Sequence, residues 1–126
     1  MRLLLLRPGE TLIDTGIVKL VAEDLDGAFC LLPRHRDWVA ALVPGILLYT
    51  DADGREQPVA VAGGTLVKCG EQVRVAVRDA VCGTDLASLR ATVEHDYRRL
   101  DEQERQVRRA LAGLEASALR RYAGLR

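Results

Sequence analysis

The chain predicts an all-β N-terminal half, a sandwich or barrel, followed by a helical C-terminal region, with the change near residue 84. Three observations carry this reading. Most turn formers lie before that point: Pro8-Gly9, Gly16, Asp26-Gly27, Pro44-Gly45, Asp53-Gly54, Gly63-Gly64, Gly70 and Gly83. Short β-branched or alternating runs fill the spaces between them. After residue 84 only Gly113 and Gly124 remain, proline is absent, and apolar residues recur at three- and four-residue steps. The expected units are therefore 1–84 and 85–126.

Residues 3–6 form the first expected strand. Four leucines precede the interruption at Arg7-Pro8, short of the ~7–15 apolar residues of a signal-peptide core. Further strands are expected at 17–22, 29–32, 39–43, 46–50, 59–62 and 65–69. Asp53-Gly54 marks a hairpin between two of them. In 72–78, Val73, Val75 and Val77 alternate with Arg74, Ala76 and Arg78, giving one dry and one wet face. Many short strands at close spacing point to a sandwich or barrel.

The helical region opens at Thr84 or Asp85, either of which can cap the first free amide hydrogens. Its apolar stripe runs Leu86, Leu89, Val93, Tyr97, Leu100, Val107, Leu111, Leu114, Ala118 and Leu125. Glu104 replaces an apolar residue within 101–106, so a hairpin turn is one reading there. The same segment is also good helix former, so one long helix is the other. Charge is uneven along it. Residues 85–104 hold three arginines against six carboxylates, net −3, and residues 105–126 hold six arginines against Glu115, net +5. In a hairpin the two arms would pair weakly. Alternatively, the basic end is offered to an acidic partner.

The whole chain balances 18 basic against 18 acidic side chains, which argues against a general nucleic-acid or membrane-surface binder. No run approaches the ~18 apolar residues of a membrane span. Work at a membrane would go through a partner. Cys30, Cys69 and Cys82 form an odd set without C-x-x-C spacing. They are expected to be reduced core or strand residues, with the Cys30 thiol buried and raised in pKa.

Phosphate-loop and dinucleotide motifs are missing, as is H-E-x-x-H, and two distant histidines do not space a metal site. Gly63-Gly64 reads as a bulge or tight turn before it reads as a phosphate nest. His95 reads as surface decoration. The one polar cluster is Pro33-Arg34-His35-Arg36-Asp37-Trp38, set between two apolar runs. Structural or interface roles for His35 outweigh a catalytic one. An exposed corner with Trp38 as its anchor is expected.

The run Gly27-Ala28-Phe29-Cys30-Leu31-Leu32-Pro33-Arg34-His35, followed by Ala41-Leu42-Val43-Pro44-Gly45, resembles the epsilon subunit of rotary F-type ATP synthases. The strand–Gly-Gly–strand stretch 59–67, the Val-x-Val run at 73–77 and Asp85-Leu86 at the helical start fit the same family in order and spacing. The resemblance implies a flattened N-terminal β-sandwich and a C-terminal helical hairpin. It also implies a non-catalytic rotor subunit without a cofactor. Such a subunit binds gamma and the c ring and stays peripheral to the cytoplasmic face of a prokaryotic inner membrane. Ala28, Phe29, Arg34, His35, Arg36, Asp37 and Trp38 would face the rotor partners. The helices would be regulatory, with Arg105, Arg108, Arg109, Arg120 and Arg121 meeting the alpha/beta subunits and restraining ATP hydrolysis.

Two departures stand out. Where the family usually reads P-G-H-A-P, this chain has Pro33-Arg34-His35-Arg36-Asp37, which suggests a divergent branch such as the alternate F-type ATPases. The family's [IL]-D-x-x-R-A nucleotide motif is matched at Leu86, Arg90 and Ala91, but Ala87 stands in place of the aspartate. Alanine cannot accept a carboxylate's hydrogen bonds, so weak or no ATP binding at Arg90 is expected. Micromolar affinity by calorimetry would overturn this. Two alternatives belong to other classes: a ligand-binding or enzymatic sandwich using Arg34, His35 and Arg36, and an adaptor that dimerises through its 89–100 stripe.

Overall fold

The computed structural model describes residues 1–83 and 85–124, with side chains through Leu114. Nine strands precede the helical region: Arg2–Arg7 (β1), Glu10–Asp24 (β2), Gly27–Leu31 (β3), Trp38–Leu42 (β4), Gly45–Asp51 (β5), Glu56–Val61 (β6), Gly64–Cys69 (β7), Gln72–Val77 (β8) and Ala80–Cys82 (β9). They pair in the order β1-β8-β7-β4-β2-β5-β6-β9, with β3 on β2 and a further β1–β2 pairing. The β1–β8 pair is parallel and the others are antiparallel.

The long strand β2 makes this a sandwich. Its first part, through Gly16, pairs with β1, and its second part pairs with β5 on one side and β3 on the other. One strand thus serves two layers, β4-β7-β8-β1 and β3-β2-β5-β6-β9. The register slips between Ile17 and Lys19, leaving Val18 outside the pairing and 45% exposed. Expecting Gly16 as a turn and the strand only from residue 17 is corrected here. Gly16 sits inside β2 opposite Arg2, and the turn at the start of this hairpin belongs to Gly9 at φ 74°.

Both layers contribute to one core. Leu3, Leu5, Leu66, Val73 and Val75 come from the first layer and Leu20, Leu31, Leu47 and Val59 from the second. The alternation in β8 behaves as its valines predict, all three buried and their neighbours exposed. Strand β6 differs, because Val59, Ala60 and Val61 are buried without alternation, as is Ala62 beyond the strand. Val59 and Val61 face the sandwich core, and Ala60 and Ala62 face outward under a helix. A strand covered on both faces reads as an unbroken apolar run.

The Asp53-Gly54 hairpin forms as its sequence predicts. Gly54 adopts φ 84°, and Asp51 Oδ1 accepts from the backbone N–H of Asp53 and Arg55 at 3.0 and 2.9 Å. Gly63-Gly64 is a tight crossing from one layer to the other. A Cβ on Gly64 would lie 2.0 Å from the Ala76 carbonyl oxygen of β8. No side chain fits there.

The C-terminal region corrects the hairpin expectation: among the described residues it is one helical run that does not fold back. Leu86–Thr92 (α1) passes through a π-turn, Val93–Tyr97, into Arg98–Gly124 (α2). Asp85 caps it by accepting from Ala87 N–H at 3.1 Å. Leu89, Val93 and Tyr97 pack on Ala60, Ala62 and Ile46. A four-residue step drifts around a 3.6-residue helix, and the wider π-turn takes up that drift so that all three side chains meet the sheet.

The segment 101–106 is continuous helix, as its good helix formers allow, and Glu104 finds a partner on the sandwich. Arg78 donates to Glu104 at 2.5 Å and to the Ala62 carbonyl at 3.3 Å. Glu104 thus replaces an apolar stripe residue where the helix meets a guanidinium. Beyond it Val107, Leu111 and Leu114 are more than half exposed. The stripe of an interchain adaptor is accordingly corrected too, since Leu89, Val93 and Tyr97 are covered by the chain's own sheet. Among the described residues, no helix is long and apolar enough to cross a membrane.

Candidate functional site: a clamped polar corner

The polar cluster forms the connection between β3 and β4. Pro33 fixes its own φ and suits the second position of a turn, and His35 N–H closes that turn on the Leu32 carbonyl at 2.9 Å. Arg34, Arg36 and Asp37 are exposed and His35 is half-buried. His35 Nδ1 lies 2.7 Å from the carbonyl oxygen of Arg36, and its ring meets the Trp38 indole edge-on at 5.7 Å.

Trp38 departs from the expected exposed anchor. It opens β4, is half-buried, and packs against the core beside Phe29 at 6.1 Å. Its indole N–H is buried without a hydrogen-bond partner. Alternation places it there: Ala40 and Leu42, two and four residues on, face the same core. Ala28 is exposed and Phe29 half-buried on β3.

The corner is fastened to the turn between β7 and β8. Lys68 Nζ donates to the His35 carbonyl and to the Gly70 carbonyl at 2.9 Å. Gly70 N–H, at φ 59°, donates to Asp37 Oδ1 at 2.9 Å. Both ends of the corner are therefore tied to residues 68–70. The motif-based reading missed Lys68. Its signal was a break in pattern, a lysine where β7 alternation calls for an apolar residue after Leu66.

The other candidates lie elsewhere. Arg90, exposed on α1, borders an open cleft of about 360 Å³ between helix and sandwich, with Arg98, Glu23 and Glu94. Two arginines and two glutamates balance there. Ala87 only donates its backbone N–H to the Asp85 cap. Arg105 pairs with Asp101 at 3.3 Å and Arg108 with Glu104 at 3.9 Å, both within α2. The acidic stretch thus meets arginines of its own helix and Arg78, not a second antiparallel arm. Arg109 is exposed. The side chains of Arg120 and Arg121 lie outside the described residues, as does Thr84.

Cys30, Cys69 and Cys82 lie on strands as free thiols. They are strand rather than core residues, and the expected burial of Cys30 is corrected: all three are exposed, Cys30 and Cys69 on outward positions and Cys82 opposite Val59, on the core-facing side at the end of β9. Cys82 is the thiol that burial pushes up. His95 is exposed on the π-turn. Among the described residues, no group of three or more His, Cys, Asp or Glu side chains could hold a metal ion.

Sheet order, shared core and covering helix together define a two-layered β-sandwich with an appended C-terminal helix. The chain belongs to the ATP synthase delta/epsilon family, as an epsilon chain: residues 1–83 match the family described as ATP synthase, Delta/Epsilon chain, beta-sandwich domain. It is 36% identical over 108 residues to "ATP synthase epsilon chain 2" of Cereibacter sphaeroides, covering 85% of this chain and 74% of that one. It is 34% identical over 122 residues to the "ATP synthase epsilon chain 2" of Paraburkholderia xenovorans, covering 95% and 88%. The fold is similar to that of a chain in the Euglena gracilis mitochondrial ATP synthase with its c-ring (TM-score 0.62, 24% identity), across 73% of this chain and 60% of that one. It is also similar to one in the central stalk/c-ring of the Tetrahymena thermophila mitochondrial enzyme (TM-score 0.54, 14% identity), across 64% of each.

Proposed function

We propose that this chain is a non-catalytic central-stalk subunit of an ATP synthase, docking onto gamma and the c ring and coupling ion translocation to ATP chemistry performed by other subunits. The observation that carries the reading is the family match over the sandwich together with relatives named as ATP synthase epsilon chains. The Ala28–Phe29 strand and the corner through Trp38 are the rotor-facing surface. Arg34 and Arg36 project there without carboxylate partners among the described residues, and they suit a partner loop carrying acidic side chains. Attachment to the membrane, at its cytoplasmic face, runs through those partners.

The helix is the regulatory element in this reading. Arg105, Arg108 and Arg109, with Arg120 and Arg121 further along, meet acidic positions on the catalytic subunits and restrain hydrolysis. The exposed Val107, Leu111 and Leu114 give that half of the helix an apolar face for the same contact. The two relatives that bear the suffix "chain 2" support placement in an alternate F-type branch.

Capture of the tagged chain from detergent-solubilised membranes tests the reading. Gamma and c subunits are the expected co-purifying proteins, and deletion is expected to abolish coupled ATP synthesis. Recovery of no ATP synthase subunit would overturn it.

A further inference from the structure

Lys68 is the one charged side chain that the described sandwich buries. It is 2% exposed, at an inward position of β7 two residues after the fully buried Leu66. A buried amino group is unfavourable unless its donors are satisfied. Here the acceptors are two backbone carbonyls, those of His35 and Gly70, and the hydrogen-bonding partners include no carboxylate. Asp37 closes the arrangement from the solvent side by accepting from Gly70 N–H. Within the corner, the Leu32–His35 turn bond and the contact of His35 Nδ1 with the Arg36 carbonyl are both local, and neither ties its backbone to the sandwich.

We propose that Lys68 is the positioning residue of the β3–β4 corner: from inside the sandwich it fixes the backbone at His35, so that Arg34 and Arg36 are displayed in one geometry to a carboxylate-bearing partner. This rests on the docking role given above. The physical advantage is preorganisation. A loop ordered before contact loses less conformational freedom on binding than a loose one. The sandwich does not need this lysine to fold, because an apolar side chain of similar length would fill the same volume, and such replacements of buried charge are often neutral or stabilising. The lysine instead serves the corner, through its bond to the His35 carbonyl and its hold on Gly70, whose N–H ties Asp37.

The test compares the full-length wild type with K68M, K68Q and D37A. Amide hydrogen exchange is read separately for the corner, where the bonded amide is that of His35, and for the β1 and β8 strands. Rebinding is read by titration onto membranes stripped of this subunit. For K68M, exchange in the corner is expected to rise about two- to tenfold, the effect of losing its one hydrogen bond to the lysine, while the strands keep wild-type protection. Rebinding is expected to weaken by about the same factor, with an unchanged or higher melting temperature. K68Q, which keeps amide donors, is expected to recover part of both effects.

Unchanged corner exchange in K68M overturns the proposal. So does a uniform rise across corner and strands, which would make Lys68 an ordinary core residue. If K68M does not fold, D37A, which removes the oxygen that accepts from Gly70 N–H, decides from the exposed side: a loosened corner supports the clamp and an unchanged one removes it. If the wild type itself does not rebind, the stalk reading fails, and the exchange comparison still decides whether Lys68 positions the corner.

Discussion

At Tyr97 the chain buries a phenol whose hydroxyl finds no hydrogen-bond partner. Burial, with the charge of Asp79 adding to it, pushes this hydroxyl up to about 12. Because the neutral form is favoured in the folded state, its contribution is fully present below the ordinary tyrosine pKa of about 10. It is lost as pH rises from there toward 12, where the unfolded chain ionises first. Tyr97→Phe is expected to abolish this alkaline loss and to change stability at pH 7 by less than about 1 kcal/mol, since the hydroxyl it removes is unsatisfied. Urea melts at pH 7 and above pH 10 check both. Gly64→Ala is expected to destabilise the sandwich by on the order of 3 kcal/mol, because the new methyl meets the Ala76 backbone and no flexible side chain can yield. A melt matching wild type would contradict that contact. Gly63-Gly64 was legible as a turn, but the approach of β8 was not, because it joins residues a dozen positions apart.

At the scale of elements, one helix is held to one sheet face by a small apolar contact and an ion pair. Leu89→Ala is expected to weaken the docking of α1 by about 2–4 kcal/mol, the range for a buried leucine truncated to alanine. The strands should keep their hydrogen-exchange protection while the helix loses its own. The Arg78–Glu104 pair is half-exposed on both sides, so a double-mutant cycle is expected to give a coupling below about 1 kcal/mol. It sets the line of α2 more than it stabilises the fold. The helical stripe and its cap were readable from spacing and from Asp85. The π-turn was not, because it answers the curvature of the facing sheet. Nor was the unbroken run at 101–106, where a charged residue in an apolar stripe reads as a gap until Arg78 comes from another strand to meet it.

For the molecule as a whole, the proposed function assigns docking to the sandwich and regulation to the helix. Removing residues 98–126 is expected to leave the corner's exchange protection intact and the capture of gamma and c subunits unaffected, while relieving any restraint on ATP hydrolysis. Loss of capture in the shortened chain would shift docking from the corner to the helix. The order β then α, eight of the nine strands, the Asp53-Gly54 hairpin and the family are local matters. Turn formers, period-two and three-to-four-residue spacings and a run of adjacent motif residues carry them, and each acts within a few positions of itself. Tertiary structure alone decided that β2 serves two layers, that Ala60 and Ala62 lie beneath a helix and that the helix does not fold back. It also decided that Lys68 reaches a corner 33 residues away. Those outcomes depend on which distant surfaces meet and what each can satisfy there, whereas periodicity records only how a segment divides its own faces.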